Sequence, residues 1–428
     1  MVKISRINTA VFILMFVLFL FSSKFLLFLG IKISGIEYIL WFLFACLLAV
    51  INFKYLRKAI ILKQTYFLLL LILLLFCLIN YFFIDAPLMV YMQGTFFTFL
   101  FAANFILFYN IKIEKKDLYF IIDSVIFIVA FIAVMAYLER IFVSRDYFQY
   151  VLRGVQTVAK DPSFLATFLN ISLIMCFSMR MITKRKKYLY FAIFFFVTII
   201  MLLFVKAIIT SLIICVAFIY IYFHERFRRA YLMVFGTLLL FLSAILGPPV
   251  FKSMEYRYNL YFGEHAETIP RNVMYITGYK IAKDYFPFGC GQGTFGSYPV
   301  GKSYSPVYYQ YGLDKVQGLG PKAGRSKKEN FLFDTHWPHI LGEMGFIATF
   351  FYLWLWFFPA IKTFPFILSW KLEIKALSFF ITMVMTTIFI ESIAAPLPDQ
   401  LQFILIYAGL GAIAYKLLFK EVQVQREN

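Results

Sequence analysis

Charge is scarce in this chain. Of 428 residues only 15% are charged, 22 acids against 41 bases, too few to cover the surface of a soluble protein of this length. Cysteine is also sparse. Of the five, Cys46, Cys77, Cys176 and Cys215 lie inside apolar runs as small packing residues. Cys290 is the only one in a polar region, and no pair has metal-ligand spacing, so neither a disulfide framework nor a cysteine metal site is expected. The alternating segments of about ten residues that build a membrane β-barrel are missing. There is no internal repeat. The glycine cluster in "FGCGQGTFGSY" (Phe288–Tyr298) is not followed by Lys-Ser/Thr and lacks a strand before it and a helix after it. That excludes a phosphate-cradling or dinucleotide loop and leaves a tight turn with positive-φ positions.

What the chain does have is long apolar sequence: 62% hydrophobic residues and a mean hydropathy of +0.82. A bilayer core of about 30 Å takes roughly 20 apolar residues per helix. Hydropathy predicts about twelve such helices, over 8–30, 34–52, 65–84, 88–110, 118–140, 162–181, 188–205, 207–223, 230–247, 337–358, 373–391 and 400–418. The expected fold is an all-α polytopic membrane protein. The N-terminal MVKISR and its apolar run resemble a signal peptide without a small-residue cleavage site, and read as an uncleaved first helix.

The net charge of +19 follows this topology. Lys and Arg gather in the segments 53–64, 111–117, 180–187, 224–230 and 360–375 and at both termini. The short connections on the other side, Ile84–Pro87 and Ser392–Gln400, hold almost none. The positive-inside rule then predicts both termini in the cytoplasm. The positive charge is accounted for by orientation and by anionic lipid, and no nucleic-acid partner is expected.

Three parts follow: helices one to nine over 1–247, a long polar extracytoplasmic loop over 248–336, and helices ten to twelve with a cytoplasmic tail over 337–428. A loop of that length between apolar spans is usually functional. Within it an amphipathic helix is expected over Asn272–Tyr285, ended by Phe286-Pro287.

Candidate site residues gather on the extracytoplasmic side. The segment "FLFDTHWPHILGEMGFIATFFYLW" brings Asp334, His336, His339 and Glu343 to the start of span ten, with Trp337 suited to the interface. His339 and Glu343 share a helix face. The cluster reads as a polar cap or as a proton acceptor at the membrane surface. A metal site is set aside, because no third strong ligand lies at helical spacing. Arg153, Lys206, Arg257 and Arg271 face the same side. Lys206 alone could be a snorkelling anchor. Together the four suit a diphosphate on a lipid carrier, since Arg matches phosphate oxygens with two donors and Lys adds a point charge.

These residues resemble the O-antigen polymerase/O-antigen ligase superfamily of bacterial inner membranes, which has a GT-C-like organisation. The resemblance rests on Arg271 leading through a helix into "DYFPFGCGQGTF" (Asp284–Phe295), on "DTHWPHILGEMGFI" (Asp334–Ile347), and on a dozen spans with one large periplasmic loop before the last few. "RGVQTVAKDPSFLA" (Arg153–Ala166) is similar to a further family segment, and Lys206 stands where a Ser-Arg pair is common. The family's His-Asn pair before span ten is not present. Counting back from Glu343 and Gly345, Asp334 falls at the His position and His336 two residues later, so the implied base is either.

The resemblance implies a metal-independent membrane glycosyltransferase with no cofactor. Its substrate would be an undecaprenyl-diphosphate-linked oligosaccharide, and a chain-length regulator would be a partner. Arg271, Lys206, Arg153 and Arg257 would hold the diphosphate, His339 and Glu343 would belong to the same diphosphate and sugar site, and His336 or Asp334 would take the proton from the acceptor. The absent His-Asn pair favours a polymerase over a ligase acting on lipid A-core. A transporter or flippase, the remoter alternative, predicts charged or Gly/Pro-broken helices at mid-membrane and often repeat symmetry, whereas here the polar residues gather at one face and the large loop has no repeat mate.

Overall fold

The computed structural model describes residues 2–28, 36–53, 64–84, 86–143, 162–223, 268–323 and 330–427, with a few isolated positions from 229 to 259. Among them no strand occurs. The helices are α1 (Val2–Phe28), α2 (Ile36–Ile51), α3 (Gln64–Phe83), α4 (Leu88–Asn110), α5 (Lys115–Val143), α6 (Pro162–Thr183), α7 (Lys187–Leu202), α8 (Val205–Tyr222), α9 (Pro270–Asp284), α10 (Trp337–Thr363), α11 (Leu372–Glu391) and α12 (Leu401–Val424). Nine of the described helices are long and apolar enough to cross a membrane: α1, α3, α4, α5, α6, α8, α10, α11 and α12. The helices α2 and α7 are apolar but shorter. Eleven of the expected spans thus coincide with helices, and the one at 230–247 lies almost wholly outside the described residues. The helix expected over Asn272–Tyr285 is α9, beginning at Pro270, whose fixed φ suits the first turn.

Helix polarity pattern sorts the bundle into centre and rim. Along α6 nearly every side chain from Leu165 to Met179 is buried, and α12 is buried from Leu401 to Tyr415. These two helices and α11 form the centre. Peripheral α3 instead keeps Leu68, Leu71, Leu75, Leu78 and Phe82 exposed. Their three-and-four spacing makes one apolar face, the surface a bilayer would cover.

Antiparallel packing separates two chemically different ends. At one end Lys115 pairs with Glu373 and lies 3.4 Å from Glu421, Lys187 pairs with Asp123 at 3.2 Å, and Lys375 donates to the Ile221 carbonyl. The lysine-rich connections at 111–117, 180–187 and 360–375 therefore share one end of the bundle. The other end carries α9, the glycine-rich turn and the connection between α11 and α12.

The glycine-rich turn is wedged between α4 and α10. Its backbone amides at Cys290 and Gly291 donate to the Gly342 and Glu343 carbonyls of α10, at 2.9 and 3.1 Å. Those carbonyls adjoin Gly345, which breaks the helical geometry of α10 at φ 71°. Gly289 and Gly345 sit backbone against backbone: a Cβ on Gly289 would lie 2.5 Å from the Gly345 nitrogen. From the other side Thr98 of α4 donates to Gln292, and Asn80 of α3 to the Phe288 carbonyl. The "GEMG" and "GCGQG" stretches are thus two halves of one joint.

Candidate functional site

Three polar clusters lie at the end of the bundle away from these lysine-rich connections. In the first, Arg271 stands in the first turn of α9, and its Nε and Nη2 both reach Oδ2 of Asp334. Both side chains keep about a quarter of their surface exposed, 28% and 27%.

In the second, Lys206 in the first turn of α8 places Nζ 3.2 Å from the Glu391 Oε2 and 3.2 Å from the Glu391 carbonyl. Glu391 is fully buried at the end of α11, and Asn170 of α6 donates to its Oε1 at 3.3 Å.

The third cluster gathers His336, His339 and Asp399. The His336 Nδ1 lies 3.5 Å from Asp399 Oδ1, an ion-pair distance too long for a good hydrogen bond. Its Nε2 is 3.2 Å from the Tyr352 hydroxyl. The two imidazoles meet edge to face at 4.7 Å, and the His339 Nδ1 faces the Thr335 carbonyl. Burial pushes the Asp399 carboxyl up, but His336 and His339 more than offset this and hold it below the ordinary carboxylate range.

One short segment links the clusters. From Phe389 to Asp399 the chain carries the partner of Lys206, the partner of His336, the carbonyl that accepts from Trp337 Nε1, and the Ile393 carbonyl that accepts from Tyr275 of α9. The structure therefore brings Lys206, Arg271, Asp334, His336 and His339 to one end, around a connection that the sequence reading passed over. Arg153 and Arg257 lie outside the described residues. Glu343 is buried in the joint, where it accepts from the Phe295 amide at 2.9 Å and the Ser297 hydroxyl at 2.6 Å.

Two acids of the site, Glu391 and Asp399, were missed. The signal for Glu391 was present: an acid closing an apolar helix is a functional candidate by default. Asp399 has no local signal, because its partners are 60 residues upstream. It also supplies what helical spacing could not, a third strong donor beside His336 and His339.

Breaking the Lys206–Glu391 pair should cost more than its size suggests, since Glu391 would be left buried and uncompensated. Lys206→Ala is expected to destabilise by about 3 kcal/mol, read as a fall in the thermal midpoint of the detergent-solubilised chain. Removing both charges together, as Lys206→Met with Glu391→Leu, should recover most of that loss. Equal destabilisation by the single and double variants would argue against an ion-pair strut.

The fold and these clusters define a class: a multi-pass α-helical membrane protein with a charged, histidine-containing site at the end opposite its lysine-rich connections. No protein-family model matches the chain, and no curated protein matches it.

Proposed function

We propose that the chain is a glycosyltransferase of the bacterial inner membrane that polymerises undecaprenyl-diphosphate-linked repeat units into O-antigen or a related surface polysaccharide, on the periplasmic side. In this reading the chain crosses the membrane about twelve times, both termini are cytoplasmic, and the lysine-rich end faces the cytoplasm. The observation that carries it is the pair Arg271–Asp334, a guanidinium and a carboxylate held together and partly open at the opposite end.

The acceptor hydroxyl attacks the anomeric carbon of the donor sugar. The bond from that carbon to the diphosphate oxygen breaks, and undecaprenyl pyrophosphate leaves with the electron pair. Arg271 matches the diphosphate oxygens with two donors and neutralises the charge that develops there. As the diphosphate takes the guanidinium, Asp334 is released to accept the hydroxyl proton, as a carboxylate base does in glycoside chemistry. Exposure favours Asp334 over His336 for this role: Asp334 keeps 27% of its side-chain surface, whereas His336 has none. Lys206, tied to Glu391, adds positive charge at the same end without being free to move.

A cavity of about 570 Å³ between Phe83, Val90 and the loop suits a saccharide, for its lining includes Tyr285, Thr294, Tyr304 and Gln310 and, among the described residues, no charged side chain. A ligase passing finished chains to lipid A-core would use the same chemistry. Deletion separates the readings. A strain without the protein should carry surface polysaccharide of a single repeat unit. Long chains left on the lipid carrier would favour the ligase, and repeat units trapped in the cytoplasm would overturn both in favour of transport.

A further inference from the structure

The third cluster has donor groups in excess of what the protein itself satisfies. His336 is fully buried, and its Nδ1 has only the long 3.5 Å approach of Asp399 Oδ1 in place of a well-formed hydrogen bond. The hydroxyl of the neighbouring Thr335 is buried and unpartnered. Buried polar atoms of this kind are rare in native proteins, and an ion is among the standard reasons for one. We propose that His336, His339 and Asp399 bind a divalent transition-metal ion such as Zn²⁺, which pins the α11–α12 connection to the start of α10.

The geometry fits in three respects. One ligand atom from each of the three residues lies within 4.8 Å of the others, so that a side-chain shift of under about 1 Å brings all three within bonding reach of one ion, whose ligands at about 2.1 Å are at most about 4.2 Å apart. The Nδ1–Oδ1 separation of 3.5 Å is close to the span between two ligands of one tetrahedral ion, about 3.4 Å for bonds of about 2.1 Å. His336 also has its other nitrogen 3.2 Å from the Tyr352 hydroxyl, and the His339 Nδ1 faces the Thr335 carbonyl at a longer 3.5 Å. That is the outer arrangement that fixes a metal-ligating ring. Two imidazoles and a carboxylate are a donor set that suits zinc. A fourth ligand would be a water or the unpartnered hydroxyl of Thr335.

Because the cluster is buried, the ion acts on the fold and does not touch the reacting atoms assigned to Arg271 and Asp334. The inference stands apart from the glycosyltransferase reading: a chain that made no polymer could still bind the ion, and a polymerase could lack it.

The test uses the full chain, purified in detergent without a polyhistidine tag, stripped with chelator and reloaded with Zn²⁺. Metal is measured by elemental analysis after dialysis, and the thermal midpoint is followed against Zn²⁺. Wild type should retain stoichiometric zinc and melt higher with it. His339→Gln and Asp399→Asn, each checked as monodisperse, should bind at least 100-fold more weakly and lose the shift. Cobalt loading should give a visible d–d spectrum in wild type that both variants lose. No retained metal and no thermal shift in wild type would overturn the proposal. So would retention that both variants leave unchanged, since the ion would then lie elsewhere.

Discussion

Arg271→Ala should abolish chain growth while the protein still inserts and accumulates. A donor that meets charge only as it develops on a leaving group is worth about 10²–10³-fold in rate, and Arg271 supplies two such donors. The loss should not come from unfolding. Arg271 and Asp334 are each partly exposed, and an ion pair in that setting contributes about 0–1 kcal/mol. Arg271→Lys should fall between, because it keeps the charge and loses the fork. Asp334→Asn should also stop polymerisation, but with the donor still bound, since the Arg271 guanidinium is retained. Polysaccharide chain lengths on gels, together with membrane levels of each variant, check these outcomes. Wild-type lengths in Arg271→Ala would remove the diphosphate role.

The largest structural effect is expected at Gly289. Its φ is +74°, and an added Cβ would meet the Gly342 oxygen and the Gly345 nitrogen, both at 2.5 Å. Both neighbours are backbone, so no side chain can swing aside. The left-handed conformation costs about 1–2 kcal/mol, and overpacking adds about 1–3 kcal/mol. Gly289→Ala should therefore open the joint between the turn and α10. Gly312 provides the control: its φ is +68° and nothing lies within 4 Å of an added Cβ, so Gly312→Ala should cost only the conformational part. Thermal unfolding of the two variants in detergent measures the difference. Equal midpoints would mean that the joint carries no stability.

Most of the bundle was legible because each spanning helix announces itself locally. About 20 apolar residues in a row must satisfy their own backbone in a bilayer, and a helix is the way to do it. Hence α3, α4, α6 and α11 begin and end within about two residues of the hydropathy boundaries, while α10 and α12 begin there and run on by about a turn or more. The ranking of centre and rim was not legible. The apolar residues of α3 and α6 look alike in sequence, since lipid and protein interior are equally apolar, and only packing buries one set and exposes the other.

The site divides the same way. Arg271 stood out as a cation of the polar loop at the start of an amphipathic helix, and Asp334, His336 and His339 as polar residues at the entry to an apolar segment, a position that any sequence displays. Glu343 stood out for the same reason, but its carboxylate is taken up by Phe295 and Ser297 inside the joint. Polarity at a helix start marks a partner without saying which.

By itself, then, the sequence determined an all-α membrane protein, the segregation of lysines to one set of connections, and the polar residues of the other end, because hydrophobicity and charge act locally along the chain. Tertiary structure decided who meets whom: Asp334 on Arg271, Glu391 on Lys206, Asp399 beside His336, and Gly289 against Gly345. Each of these pairs joins residues at least 50 positions apart, and only the antiparallel return of the helices brings them to the same end.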